Sequence, residues 1–444
     1  MCQKRAPEID EITSVIAVTG VNRPEGPRDR RRQSPTSKLF LERPTNRGNT
    51  APVSRPLAPP RRWYQLELLD NRYASLHGLR VLAILSVIQF HVTWIFSGEQ
   101  GIFFDRNLTA VSLAVFFGMD LFFILSGFLI GSILLHSIDT AGSTQLGRFY
   151  LRRIFRTFPS YYLVLTVLVL TTVLSDSQRA HLPYELAYLT NFCPLGRKDV
   201  IMFWGWSLGL EEQFYLAVPL LLFVMHRLKQ DRARVILLVG LMAIAAGIRW
   251  SIYIGNGPWT DFTLYGALYF RTFTRFDTLV AGILLALIHR RWGARITVWL
   301  ETPFHRVLLA MPALFCLWVL LFPVEVAGTH VQLLRVFAWG TLTSMMYLPT
   351  LILLLHGDGM INRWLSIPVF RYIATLGYGV YLVHIPIIDD LVVPIAHTLD
   401  GKLSKPVLWT GAFVVTTIAS LAIGYVLHVL VEKPALRIRD RFAA

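Results

Sequence analysis

The chain has 444 residues, of which 54% are hydrophobic and only 16% charged, with a net charge of +15 and a mean hydropathy of +0.49. Soluble domains are about 45–50% apolar and about 25% charged, so the composition excludes an ordinary soluble enzyme. It points to an all-α, polytopic integral membrane helix bundle. The basic residues flank apolar runs, which fits anionic lipid headgroups and topology and argues against nucleic acid as a partner.

Residues 1–72 form a distinct segment. They hold nine of the 23 prolines and fourteen Lys/Arg but little apolar content. Such a segment buries too little surface to offset its ordering entropy, so a disordered basic cytoplasmic tail is expected. It lacks the apolar core of a secretory signal. At its end Trp63 and Tyr64 suit the headgroup zone.

From residue 73 to 434 the apolar runs read as ten transmembrane helices, since about 20 residues cross the hydrocarbon. They lie at about 79–96, 117–136, 160–175, 203–225, 235–253, 272–289, 307–323, 333–355, 372–392 and 407–431. The third is short, and Pro386 should kink or end the ninth. The connections on the side of the tail carry eighteen Lys/Arg, those on the other side seven. The positive-inside rule then places both termini in the cytoplasm, with residues 435–444 as a short basic tail.

Ionisable groups inside such runs are costly and suggest function. With this topology His91 falls near the outer end of the first span, Asp120 at the outer start of the second, and Glu211 and Glu212 some 12–14 Å into the fourth at 1.5 Å per residue. Arg275 and Asp277 fall in the first turns of the sixth span and His384 past the middle of the ninth. Arg249 falls near the outer end of the fifth. These groups share the outer half of the bundle. His91 suits a general base, because a neutral imidazole accepts a hydroxyl proton near pH 7. Glu211, Glu212, Asp120 and Asp277 are candidate orienting acceptors, and periodicity does not separate the adjacent glutamates.

Arg80 precedes His91 by eleven residues, about three turns toward the inner face. Arg152, Arg153 and Arg156 sit just before the third span. They read equally as positive-inside flanking or as a phosphate site for a cytoplasmic donor, since arginine forks match phosphate. Gly127 and Gly131 form a G-x-x-x-G spacing that permits close helix packing. Cys2, Cys193 and Cys316 form no spaced cluster, and no H-x-x-x-H or C-x-x-C spacing is present, so neither a metal nor a disulfide framework is expected.

Five blocks in order resemble the acyltransferase-3 family of integral membrane O-acyltransferases. SLHGLRVLAILSVIQFH (75–91) is similar to its first span and GMDLFFILSGFLI (118–130) to its second block. RRIFRTFPSYY (152–162) carries an R-x-x-R pair, WSLGLEEQFY (206–215) a glutamate block, and YGVYLVHIP (378–386) a Tyr-Leu-x-His block. VEKP (431–434) also fits. The resemblance implies transfer of an acyl group, acetyl in most members, from acyl-CoA to a hydroxyl of an envelope glycan or lipid-linked sugar at the plasma membrane. It implies catalytic roles for His91 and Glu211 and donor binding by Arg80, Arg153 and Arg156. Asp120, Glu212, Arg275, Asp277 and His384 are left as substrate or structural support.

Two departures stand out. His77 occupies the place of the family's usual aspartate in Asp-Gly-Leu-Arg, and Gly377 precedes Tyr378 where serine is more usual. With only thirteen residues after Val431, transfer is expected to finish within the bundle or through a separate protein. The competing reading is a transporter or flippase for an envelope glycan or lipid, although no internal repeat of the kind transporters show is evident.

Overall fold

A computed structural model of the chain describes residues 64–99, 117–141, 146–256, 266–321 and 340–443. The tail up to residue 63, including Trp63, and the first part of the eighth expected span lie outside these residues. All regular structure among the described residues is helical.

The helices run in chain order as α1 (Ala74–Trp94), α2 (Gly118–Ala141), α3 (Leu146–Thr171), a short α4 (Asp176–Leu186), α5 (Trp206–Arg227), α6 (Asp231–Gly255), α7 (Thr272–Trp299), α8 (Pro303–Leu321), α9 (Thr341–His356), a six-residue α10 (Met360–Leu365), α11 (Pro368–Ile387), α12 (Val393–Leu399), α13 (Lys405–Leu427) and α14 (Lys433–Ala443). Eight helical segments are long and apolar enough to cross a membrane, and two shorter apolar helices, Pro303–Val319 and Thr341–His356, accompany them. Apolar side chains point outward as well as inward: Leu216 is 70% and Ile236 71% exposed. A water-soluble bundle would place polar residues there, so this surface suits lipid.

In lipid, apolar burial discriminates weakly between inside and outside, and close packing and polar pairs hold helices together. The α2–α7 contact shows both. A Cβ on Gly127 would lie 2.0 Å from the Leu279 carbonyl oxygen, and one on Gly282 2.2 Å from that of Ile124. The G-x-x-x-G spacing is therefore a packing seam. Two other pairs close the bundle: α11 against α13, where Gly379 faces Gly424, and α1 against α11.

One end of the bundle is basic. There Arg290 and Arg291 hold Asp139, and Arg234 and Arg291 hold Asp231. Residues 64–73, which composition assigns to the tail or its edge, run along this end. Lys433 Nζ donates to the Gln65 carbonyl at 2.5 Å, the Glu67 amide to His428 Nε2 at 3.2 Å, and Arg371 Nε to the Leu69 carbonyl at 2.7 Å.

At the opposite end α4 and the chain leading into α5 form a cap. Glu185, fully buried, accepts the Ile201 and Met202 amides at 3.0 and 2.7 Å. Burial pushes its carboxyl above the ordinary value, and those two amides offset part of the shift.

Two expectations about elements change. α3 begins at Leu146, so Arg153 and Arg156 stand inside a helix and do not precede it. A run of apolar letters undercounts a helix whose first turns face a polar cavity. Pro386 does not end its helix early: α11 reaches Ile387 and continues as a π-helical turn, Ile388–Val392.

Candidate active site

A cavity of about 440 Å³ opens among α1, α2, α3, α5 and α11. Asp70, Arg72 and Tyr73 lie on its wall at the basic end, and Ile84, Ser207 and Tyr381 lie along its length toward the other. Arg80, Arg153, Arg156 and Glu211 all line it. Helical periodicity brings them there: Arg153 and Arg156 are three apart on one face of α3, and Glu211 and Tyr215 four apart on α5.

The three guanidinium groups repel one another and are attracted to Glu211. Tyr215 donates to Glu211 Oε2 at 3.0 Å, Ser126 bonds the Tyr215 hydroxyl at 2.9 Å, and Arg153 stacks 4.6 Å from the Tyr215 ring centroid. Counting Arg72 and Asp70 on the wall as well, four guanidinium groups face two carboxylates, which makes an anion-seeking cavity.

The adjacent glutamates are thus separated. Glu211 faces the cavity, whereas Glu212 accepts from Thr157 Oγ1 at 3.0 Å. Glu211 shares the cavity wall with Arg80, Arg153 and Arg156. Depth counted from apolar runs missed this because α3 starts some four turns before its own apolar run.

His91 and His384 form a pair beyond the cavity, with His91 Nδ1 3.2 Å from His384 Nε2. Their protons follow from their partners. His384 Nδ1 lies 2.6 Å from the Tyr381 carbonyl, which only accepts, so Nδ1 carries the hydrogen and Nε2 the lone pair. His91 Nδ1 lies 2.9 Å from the Val87 carbonyl and so donates, shared between that oxygen and His384. His91 Nε2 is left as the acceptor nitrogen of the ring, the state a general base requires. None of the four expected carboxylates hydrogen-bonds His91. Its orienting partners are a backbone carbonyl and a second imidazole.

Tyr381 touches both compartments. It lines the cavity, its ring lies 5.4 Å from that of His384, and its hydroxyl bonds Ser207 Oγ at 2.5 Å and the Trp204 carbonyl at 2.7 Å. Phe203 and Trp94 flank His91 on its other sides. Sequence reading missed Ser207, Tyr215 and Tyr381, although the i+4 spacing of Tyr215 from Glu211 was available as a signal.

Asp120, Arg249, Arg275 and Asp277 form a separate buried group. Arg275 Nη2 meets Asp120 Oδ1 at 2.6 Å, and Arg249 Nη2 meets Asp277 Oδ2 at 2.8 Å, with all four side chains 0% exposed. Arg275 also lies 4.4 Å from the Tyr269 ring centroid, and Arg249 bonds the Thr274 carbonyl and Thr341 Oγ1. None of the four lines the cavity. They tie α2 to α7 and α6 to α7 and α9. Among the described residues no cluster of three or more His, Cys, Asp or Glu side chains is placed to hold a metal, and Cys193 and Cys316 are buried free thiols.

The fold and site define a multi-pass membrane protein with an arginine-lined internal cavity and a paired-imidazole centre beside it. Residues 73–428 match the acyltransferase-3 family, whose model describes an acyltransferase domain. The chain belongs to that family, and with it to the multi-pass proteins of the inner, or plasma, membrane. Among its relatives, "Putative peptidoglycan O-acetyltransferase YrhL" of Bacillus subtilis (strain 168) is 28% identical over 388 residues, covering 82% of this chain and 55% of the relative. "Peptidoglycan O-acetyltransferase OatA" of Listeria monocytogenes (serovar 1/2a, strain EGD-e) is 28% identical over 361 residues, covering 76% and 53%. The chain thus spans about half the length of these relatives. No solved structure matches it.

Proposed function

We propose that the protein moves an acyl group, acetyl in the simplest case, from acyl-CoA to a hydroxyl of an envelope or exported glycan or a lipid-linked sugar. The observation that carries this reading is the juxtaposition of an arginine-lined cavity, whose wall reaches Asp70, Arg72 and Tyr73 at the basic end, with the His91–His384 pair beyond Tyr381. Arg80, Arg153 and Arg156 hold the phosphates of the donor, which enters from the cytoplasm. The thioester reaches past Tyr381. His91 Nε2 takes the hydroxyl proton, the new ester C–O bond forms at the thioester carbonyl, the C–S bond breaks, and the CoA thiolate leaves and is protonated. His384 positions His91, and Glu211 neutralises part of the arginine charge beside the donor.

Ten spans with both termini in the cytoplasm accommodate this arrangement. The eight long helices, the two shorter apolar helices and the Lys/Arg asymmetry support that topology. The relative OatA, a peptidoglycan O-acetyltransferase, supports a cell-wall glycan as the acceptor class. Repeating the test below with other acyl-CoA thioesters identifies the acyl group, and adding a separate protein shows whether one completes transfer.

The purified protein is incubated with radiolabelled acetyl-CoA and peptidoglycan or other envelope glycans. Label should pass to the glycan as an alkali-labile ester. A protein that instead moves the glycan across proteoliposomes, with no transfer of label, is a transporter, and the acyltransferase reading fails.

A further inference from the structure

We propose that His77 is a donor-binding residue: its imidazole hydrogen-bonds a phosphate oxygen of the nucleotide thioester held by Arg80. This rests on the donor cavity proposed above and adds to it a residue that this chain carries where the resembling family usually has aspartate.

The observation is an orphan. His77 is 3% exposed and lines the cavity, yet neither ring nitrogen has a hydrogen-bond partner at bonding geometry. A weak interaction with the Asp70 backbone, outside bonding geometry, is the ring's nearest approach to a partner, and Arg80 and Arg371 act on it electrostatically. A buried polar atom without a partner destabilises a fold. One retained at a cavity wall marks a place where a ligand supplies the bond.

The backbone that carries the ring is held in place. A Cβ on the next residue, Gly78, would lie 2.5 Å from the Leu365 carbonyl oxygen, so the first turn of α1 is pressed backbone to backbone on α10. His77 and Arg80 are three residues apart on one helix face, so an anion bound by Arg80 lies within reach of the imidazole. Ser132 Oγ, across on α2, is a second buried cavity-lining oxygen without a partner. Orphans on two walls of one cavity are expected where a polar ligand completes the site.

The test compares full-length wild type with His77→Leu and His77→Gln in detergent. It measures binding of coenzyme A by calorimetry, thermal stability without ligand, and KM and kcat with acetyl-CoA. His77→Leu should raise the Kd for coenzyme A about tenfold, about 1.4 kcal/mol, and raise KM with kcat nearly unchanged. Its unliganded Tm should equal or exceed that of wild type, because an orphan polar group has gone. His77→Gln, which keeps a donor, should bind within about threefold of wild type.

A His77→Leu protein that binds coenzyme A like wild type overturns the assignment. So does one that fails to fold or loses Tm without ligand, since the imidazole is then structural. Absence of coenzyme A binding by wild type overturns the donor reading itself, which is a different result.

Discussion

Neutralising one member of the Asp120–Arg275 pair should be far more damaging than neutralising both. The two groups meet at 2.6 Å with both side chains 0% exposed, so either single change strands a fully buried charge. Breaking a buried pair in this way costs about 3–5 kcal/mol, whereas replacing both partners with apolar residues of similar volume is often neutral or stabilising. Arg275→Met additionally loses the cation–π contact with Tyr269 at 4.4 Å, about 0.5–2 kcal/mol. Asp120→Leu and Arg275→Met should therefore each lower the unfolding midpoint by several degrees. The double variant should recover to within about 2 kcal/mol of wild type; two single losses of at least about 3 kcal/mol each then make the coupling at least about 4 kcal/mol. The assay is thermal unfolding in detergent followed by tryptophan fluorescence, with acetyl transfer measured on the same preparations. The structural role predicts that the double variant recovers stability and activity together. Additive single effects would refute the reasoning. A stable but inactive double variant would show instead that these charges act on the substrate.

Three further outcomes follow from the geometry. Arg156→Ala should raise KM for acetyl-CoA by about 10- to 100-fold, since a hydrogen bond to a charged group contributes about 1.5–3 kcal/mol, and Arg156→Lys should recover only part because the fork is lost; a KM unchanged from wild type contradicts the phosphate role. Gly340 has φ 81°, and a Cβ there would lie 2.4 Å from Asp277 Oδ2. Gly340→Ala should cost about 1–3 kcal/mol in backbone strain and disturb the Asp277–Arg249 pair, read as a lower unfolding midpoint.

Burial raises the Glu185 carboxyl above its ordinary 4.5. Its protonated form is favoured in the folded state, so this contribution is present below pH 4.5 and is lost as pH rises through the raised value. Hydrogen exchange across residues 185–205 should therefore speed up as pH rises through that window, beyond the intrinsic rate. Glu185→Gln should flatten the trend.

Much of the helical frame was legible, because long apolar runs admit few alternatives in lipid. The lateral placement of polar groups was not. Hydropathy fixes an approximate depth but not which neighbour a face meets, so it groups Asp120 and Arg275 with His91, although they pair with each other on α2 and α7. Apolar letters also hid the start of α3, whose first turns carry Arg153 and Arg156 into the cavity. The Glu211/Glu212 ambiguity was real at the level of spacing: one residue turns a side chain by about 100°, and only the packing of α3 and α5 decides which faces inward. His91 was found because an imidazole in an apolar span is conspicuous. The carbonyl of Val87 that fixes its proton is a backbone group, and sequence carries no sign of it.

The central claim is that His91 Nε2 is the base of an acyl transfer. The most direct measurement is single-turnover transfer from radiolabelled acetyl-CoA by His91→Ala, paired with its affinity for coenzyme A. General-base removal should lower the rate by about 10²–10⁴-fold, with coenzyme A affinity unchanged because His91 lies outside the cavity lining. Transfer at the wild-type rate by a folded His91→Ala protein would contradict the assignment.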